Sequence, residues 1–372
     1  MRIEELTFFR FLAAAIVVIF HYGRDATGLP GALTSGPEMV TFFFVLSGFV
    51  MGIAYLKKDI SIRGYLWARV SRIMPVYLLA LLMVVISYVI LNKEINFISL
   101  LLNLTLMQSW VSPHPLSLNG PGWSLSVEAF FYISFPFILY SIKKYSLSSV
   151  HIVLYALAIW CITHIITTVT LNNGFYGGFP SYSHDKIAYF PLTHLCSFLF
   201  GISGAIWILE TKHTTYKKTP VLLLVLVVFS SIVIILNNKN FIMNQFELKL
   251  AFGSSLLSPL FLIFIISITL CRSKIINIFS LYPLVLLGEA SYSLYILQKP
   301  IYQIYTKYIS GALSLEASID FYVYFTFLTL ISITTFLLFE KPANKLLRFS
   351  LPIFVKKQLT KTSSGRAKSA RR

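Results

Sequence analysis

The sequence is dominated by ten apolar stretches, each about 17 to 22 residues long. An α-helix rises about 1.5 Å per residue, so each stretch is long enough to cross about 30 Å of lipid hydrocarbon. Backbone polar groups find no water there, and a chain with so many stretches satisfies them by forming helices. The pattern predicts an all-α integral membrane protein with about ten transmembrane helices. The stretches lie near residues 6–22, 39–56, 75–91, 123–142, 150–171, 189–209, 220–236, 250–271, 282–300 and 319–339.

Composition excludes the main alternative, a soluble enzyme. Of 372 residues, 56% are hydrophobic and only 12% are charged, which is about half the charged share of an average soluble domain. The net charge of +17 would suggest a nucleic-acid partner in a soluble protein. In a membrane protein, lysine and arginine are instead retained in cytoplasmic loops, and we attribute the charge to topology.

The positions of the basic residues predict the orientation. With the N-terminus in the cytoplasm, 23 of the 31 lysines and arginines fall inside, 7 fall outside, and Arg10 lies within the first stretch. Both termini are therefore expected in the cytoplasm. We expect a membrane domain over residues 1–342 and a basic cytoplasmic tail over 343–372 that is disordered at its end and lies near anionic lipid.

Two ionisable side chains share the first apolar stretch, where such groups usually serve function. Arg10 and His21 are eleven residues apart, about three turns plus 20°, so they project from one helix face at heights about 16 Å apart. The orientation puts Arg10 near the inner surface and His21 near the outer one. The alternative is that Arg10 snorkels and that His21 is an interfacial residue.

A carboxylate enters the membrane with the fourth stretch, in the segment GPGWSLSVEAFFY. Glu128 lies about 7 Å below Trp123 and needs a partner or water. Its depth matches that of His21, and a glutamate beside a histidine fixes the imidazole tautomer. We therefore predict that Glu128 and His21 pair, with Ser124 extending the polar face. The alternative is that Glu128 binds a structural arginine or a backbone group.

Two arginines end the inner loop before the third stretch, in RVSRIMP. Arg69 and Arg72 face the same way if the segment is helical, and Pro75 is expected to open the third transmembrane helix. Paired guanidinium groups suit phosphate recognition. A basic cytoplasmic loop that serves only topology and lipid contact is the alternative interpretation.

The outer loop 172–188 is rich in glycine and aromatic residues. Tyr176, Tyr182 and His184 form a candidate sugar-binding surface through ring stacking, with Asp185 as a hydrogen-bond acceptor. An aromatic belt at the lipid interface has a similar composition, so both interpretations stay open. The three cysteines have no metal-site spacing, and we expect no metal.

Several motifs together resemble the membrane acyltransferase 3 family, in order along nearly the whole chain. Besides Arg10 and His21, they are TFFFVLSGFVMG, RVSRIMPVY, GPGWSLSVEAFFY, SYSLYILQKPIY and FEKP. Members of this family are multi-pass proteins of the bacterial inner membrane, and many O-acetylate lipopolysaccharide, exopolysaccharide or peptidoglycan sugars. The resemblance implies transfer of an acyl group, usually acetyl, from cytoplasmic acyl-CoA to a hydroxyl of an outer glycan.

The resemblance also implies roles for individual residues. It makes His21 the catalytic histidine and places Glu128 in a motif near the active site, so we predict His21 and Glu128 as the catalytic residues. Trp123 and Ser124 of the same motif are predicted to bind substrate. It links the acyl-CoA donor to Arg10, Arg69 and Arg72. Acetyl-CoA is then a substrate, and no permanently bound cofactor is expected.

Two departures from the family pattern stand out. Gln298 occupies a position where the family often carries a histidine, so no second essential histidine is expected. No fused SGNH-type hydrolase domain is expected either.

Mechanistically, we expect the pantetheine arm to thread the bundle from inside and to present the thioester near His21. Direct transfer with His21 as general base and an acyl-histidine intermediate both remain open. The competing functions are an exporter of a lipid-linked sugar and a non-catalytic partner in polysaccharide assembly. The acyl group, the acceptor sugar and the oligomeric state stay open.

Overall fold

The computed structural model describes residues 4–211, 218–271 and 273–348, and within these ranges the chain forms helices and loops without β-strands. Eight helices in these ranges are long and apolar enough to cross a membrane. The all-α membrane fold predicted from the sequence is thereby confirmed. Residues 349–372 of the predicted basic tail lie outside the described residues, and the division at residue 342 stays a prediction.

The long helices follow the predicted stretches closely. They are α1 (Glu4–Thr27), α2 (Gly36–Tyr55), α3 (Ile62–Ile90), α4 (Gly120–Lys144), α5 (Ser149–Asn172), α6 (Tyr182–Glu210) and α7 (Thr219–Asn237), followed by the shorter α8 (Ser258–Leu270), α9 (Tyr282–Glu289) and α10 (Ser291–Tyr305), and by the long α11 (Ala317–Arg348).

Two of the ten predicted stretches are broken. The stretch 250–271 begins with an irregular turn, Phe252–Leu256, in which Ser255 has a φ of 57°. The backbone groups freed there are satisfied by side chains: Trp160 Nε1 and Ser258 Oγ donate to the Ser255 carbonyl, and Thr41 Oγ1 accepts from the Ser255 amide. Such partners allow irregular backbone at membrane depth. The stretch 282–300 is divided at Ala290 into α9 and α10.

Helix α3 begins at Ile62, well before the start predicted at residue 75. Ser61 caps it, since the Ser61 Oγ accepts from the Gly64 amide. Pro75 therefore lies inside the helix, and the prediction that it opens the helix is wrong. The two arginines lower the hydropathy of this segment, so the sequence pattern placed the start of the helix after them. Arg69 is instead buried in the protein and lies inside the helix.

Helices α2 and α6 pack backbone to backbone at the centre of the bundle. A Cβ atom on Gly48 would stand 2.1 Å from the Phe198 carbonyl oxygen, and one on Gly201 would stand 2.0 Å from the Val45 carbonyl oxygen. Only glycine permits this approach, as is common where membrane helices cross closely. The contact fixes α2, which forms one wall of the cavity described next.

Candidate active site

A cavity of about 510 Å³ opens among α1, α2, α3, α4 and α10. Its volume lies within the range of about 300 to 1,000 Å³ that is usual for small-molecule sites. Four basic side chains and one carboxylate line it, so it favours an anionic ligand. We call it the arginine cavity; its charged residues are Arg10, Lys58, Arg69, Arg72 and Glu128.

Arg69 is held in place by tyrosine rings. Its guanidinium carbon lies 5.6 Å from the Tyr55 ring centroid, 6.0 Å from that of Tyr65 and 5.9 Å from that of Tyr132. Its Nη2 donates to the Tyr55 hydroxyl over 3.0 Å, whereas its Nε is buried and has no partner in the part of the chain that the structure describes. A buried unsatisfied donor is costly, and this one belongs to a residue that lines the cavity.

Arg10 interacts electrostatically with Arg72 and with two carboxylates, Glu128 and Glu340, and Glu340 also interacts with Arg72. Among the described residues, neither guanidinium forms a direct ion pair. Their N–H groups therefore remain available to a ligand. The structure thus gathers the three predicted donor-binding arginines around one cavity.

Glu340 is an addition that the candidate residues drawn from the sequence did not include. It is buried, and its Oε2 accepts a hydrogen bond of 2.6 Å from Ser293. Its FEKP segment was noticed only as a motif, and the sequence contains no signal that α11 brings this carboxylate to Arg10.

The predicted pair of His21 and Glu128 does not form. Glu128 Oε2 accepts from the Tyr132 hydroxyl over 2.8 Å, on its own helix, and the carboxylate faces Arg10. The prediction matched the depths of the two residues but could not determine the rotation of α4 about its axis. The alternative of a directly bound arginine or backbone group is not found in the described residues either, since Glu128 interacts electrostatically with Arg10 without a direct ion pair.

His21 pairs instead with Gln298 of α10. The His21 Nδ1 and the Gln298 Oε1 are 2.9 Å apart, in a π-helical turn of α1 that spans Ile19–Gly23. The Gln298 Nε2 donates to the Tyr295 carbonyl over 2.6 Å, so Oε1 is the acceptor that faces the imidazole. Nδ1 therefore carries the proton, and Nε2 presents a lone pair. Within the described ranges no residue donates to that nitrogen.

The chain is similar to known proteins. A family model described as an acyltransferase domain matches residues 3–340. The chain belongs to the acyltransferase 3 family. The acyltransferase MdmB of Streptomyces mycarofaciens is 32% identical over 152 residues, which cover 37% of this chain and 39% of that protein. No solved structure matches the chain.

Three side chains that pack together form part of the wall of the arginine cavity. The Ser124 Oγ and the Tyr295 hydroxyl are 2.9 Å apart, and the Phe43 ring meets the Tyr295 ring edge-on at 6.0 Å. All three side chains line the cavity, whereas His21 does not. The backbone carbonyl of Tyr295 accepts a hydrogen bond from the Gln298 Nε2. Tyr295 therefore both lines the cavity and orients the partner of His21.

Of the two predicted substrate residues in the fourth stretch, Trp123 does not line the arginine cavity and Ser124 does. Trp123 is only 7% exposed and packs against Phe44 and His194, with ring centroids 6.0 and 5.5 Å apart. This packing makes Trp123 part of the hydrophobic core. Ser124 lines the cavity, and its hydroxyl is paired with that of Tyr295.

The loop predicted over 172–188 is shorter in the structure, because Tyr182 and His184 lie in the first turns of α6 and only Tyr176 lies in the loop before it. The Tyr176 hydroxyl lies 2.9 Å from the His184 Nδ1, and Tyr182 is 68% exposed. None of the three lines the arginine cavity. Their predicted part in acceptor binding stays a prediction. In residues 4–211, 218–271 and 273–348, no group of three or more metal-ligating side chains comes together.

Proposed function

We propose that the protein transfers an acyl group, acetyl in the first instance, from cytoplasmic acyl-CoA to a hydroxyl of a cell-surface or exported polysaccharide. The bacterial inner membrane is the compartment where these two substrates meet across one bilayer. One observation carries the proposal: Arg10 of α1 joins Arg69 and Arg72 of α3 in one cavity, and the same helix carries, eleven residues further on, an imidazole whose Nδ1 is hydrogen-bonded to Gln298.

The arginine cavity suits the donor because acyl-CoA carries several phosphates. Guanidinium groups bind phosphate oxygens through paired hydrogen bonds, and the Nε of Arg69 and the N–H groups of Arg10 and Arg72 are free to make them. The positive-inside rule assigns this end of α1 to the cytoplasm, where acyl-CoA is found.

His21 suits the transfer step because its free Nε2 can accept a proton. As the acceptor hydroxyl loses its proton to Nε2, its oxygen forms a bond with the thioester carbonyl carbon. The carbon–sulfur bond then breaks, and the departing thiolate takes the proton back from the imidazole. His21 does not line the arginine cavity, so a thioester has to extend beyond the cavity wall to reach it.

The proposal is tested by removing the gene and comparing O-acyl signals in NMR spectra of the surface glycans. We expect loss of one O-acyl signal, restored by the wild-type chain and not by His21→Ala. Retention of every signal in the deletion strain would refute the transfer. Glycan export that fails together with acylation would favour an exporter, and unchanged acylation in His21→Ala would favour a non-catalytic partner.

A second experiment separates the two chemical routes. Purified protein is incubated with acetyl-CoA labelled in the acetyl group, without acceptor, and the label on the chain is measured after denaturation. Label that is retained by the wild type and lost in His21→Ala supports an acyl-histidine intermediate. Its absence under single-turnover conditions supports direct transfer.

A further inference from the structure

A second cavity of about 260 Å³ lies beside the opposite end of α1 from Arg10. It is enclosed by the last turns of α1, by the loop and first turn that open α2, and by the end of α7 with the residues that follow. We call it the Glu38 cavity. Its polar lining residues are Arg24, Thr34, Glu38, Asn237, Lys239 and Asn240.

The Glu38 cavity contains an ion pair between Glu38 and Lys239 in which one carboxylate oxygen of Glu38 has no hydrogen-bond partner among the described residues. Lys239 Nζ lies 2.5 Å from Glu38 Oε1 and donates to Ser35 Oγ over 3.1 Å. Glu38 is only 3% exposed, and its Oε2 has no hydrogen-bond partner among the described residues. Leaving a buried charged acceptor unsatisfied costs free energy, so this oxygen points to a ligand that donates a hydrogen bond.

The rest of the lining provides hydrogen-bond donors and a ring. The Asn237 Oδ1 accepts a hydrogen bond from the Ala32 amide, so the Nδ2 of Asn237 is the group left to donate to a ligand. The Arg24 guanidinium lies over the Phe20 ring, 6.0 Å from its centroid. A site for a simple anion would not include an unsatisfied carboxylate, whereas sugar hydroxyls both donate and accept and their rings pack against aromatic groups.

The Glu38 cavity is also close to the proposed catalytic base. Phe20, which lines it, meets the imidazole of His21 edge-on with centroids 5.2 Å apart. A ligand in this cavity is therefore separated from His21 by a single side chain. The cavity is slightly smaller than the range of about 300 to 1,000 Å³ that is usual for small-molecule sites, which fits one sugar unit and not an oligosaccharide.

We propose that the Glu38 cavity binds one sugar unit of the acceptor and that Glu38 Oε2 accepts a hydrogen bond from a hydroxyl of that unit. Lys239 fixes the carboxylate, and Asn237 and Asn240 donate to further sugar oxygens. The inference rests on the proposed function, and it assigns the acceptor to residues outside the loop 172–188.

The test fills the cavity without touching the proposed catalytic groups. Asn240→Trp places a large ring in the Glu38 cavity, whereas Asn238→Trp changes an exposed neighbour that does not line it. Each variant is expressed in the deletion strain, its amount in the membrane is measured, and the O-acyl signal of the surface glycan is recorded. We expect at least a tenfold loss of signal in Asn240→Trp and none in Asn238→Trp.

Glu38→Gln keeps the side-chain volume and removes the charge. With unacylated glycan extracted from the deletion strain as the acceptor, we expect the acceptor KM to rise about tenfold while the KM for acetyl-CoA is unchanged. A variant that misfolds would lose acetyl-CoA binding as well as acceptor binding, and less of it would reach the membrane. Asn240→Ala, which removes only an exposed side chain, is then the second variant, with the same expected direction.

Three outcomes are distinguished. Loss of acylation in Asn240→Trp at normal membrane levels, with acetyl-CoA binding intact, supports the acceptor site. Normal acylation and a normal acceptor KM in all the cavity variants overturn it and leave the proposed function standing. A wild-type strain whose glycan does not differ from that of the deletion strain overturns both.

Discussion

The Nδ1–H of His21 donates a 2.9 Å hydrogen bond to the Oε1 of Gln298, which lies 277 residues further along the chain. An amide holds the imidazole in one tautomer as a carboxylate would, but it brings no negative charge to stabilise the imidazolium. Gln298 is fully buried, and its backbone carbonyl accepts from the Tyr324 hydroxyl over 2.8 Å. Its orientation is therefore set by α10 and α11 together.

Gln298→Leu should reduce kcat because it removes the acceptor that keeps the proton on Nδ1. We expect a loss of about ten- to a hundredfold, smaller than the roughly 10²- to 10⁴-fold that general acid–base catalysis contributes as a whole. The loss should appear in kcat with acetyl-CoA binding unchanged, measured with radiolabelled acetyl-CoA and unacylated glycan.

Gln298→Glu is the matched variant, because its carboxylate can accept the same hydrogen bond. It should retain far more activity than Gln298→Leu, and it should change the pH profile of kcat, which a purely structural role would not do. Equal activity in the leucine variant and the wild type would mean that the tautomer of His21 does not depend on Gln298.

Arg72→Gln should weaken acyl-CoA binding because it removes from the arginine cavity a guanidinium group that would donate hydrogen bonds to a phosphate. Hydrogen bonds to charged groups contribute about 1.5 to 3 kcal/mol each, so the Kd for CoA should rise about 10- to 100-fold. Binding of pantetheine, which has no phosphate, should change little. Calorimetric titration of the protein in nanodiscs with both ligands measures the difference.

Lys57→Gln is the control for this experiment. Lys57 is exposed and does not line the cavity, whereas its neighbour Lys58 does. If Lys57→Gln weakened CoA binding as much as Arg72→Gln, general surface charge and not the cavity would determine the affinity.

Gly201→Ala should destabilise the bundle because the new methyl group would overlap the backbone of α2. Overpacking usually costs about 1 to 3 kcal/mol, and here the obstacle is a carbonyl oxygen that cannot rotate away. We expect a lower midpoint of thermal unfolding in detergent. Gly64→Ala, where the nearest atom to the added Cβ is 3.8 Å away, should unfold at the wild-type temperature.

The orientation of the protein in the membrane can be tested by adding one exposed cysteine at a time to a Cys161→Ser background. The two native cysteines that remain, Cys196 and Cys271, are buried. An impermeant maleimide applied to intact spheroplasts should label Asn240→Cys. Lys57→Cys should be labelled only after the cells are opened. The reverse pattern would place the arginine cavity outside and remove the basis for a cytoplasmic donor.

Sequence reasoning identified the spans because hydrophobic length is a local property. Eight of the ten predicted stretches became long helices. The others were divided at Ser255, where side chains of distant helices satisfy the freed backbone groups, and at Ala290. The early start of α3 was missed for a related reason, since burial of Arg69 depends on tyrosines of other helices.

The sequence by itself determined the fold class, the family and the grouping of Arg10, Arg69 and Arg72, because hydropathy, charge asymmetry and motif order are written along the chain. Only the tertiary structure decided the pairings. Glu128 faces Arg10, Gln298 holds His21, and Glu38 lines a separate cavity. Pairings of this kind depend on how each helix is rotated about its axis and which helix it meets, and both are set by the packing of all the helices together.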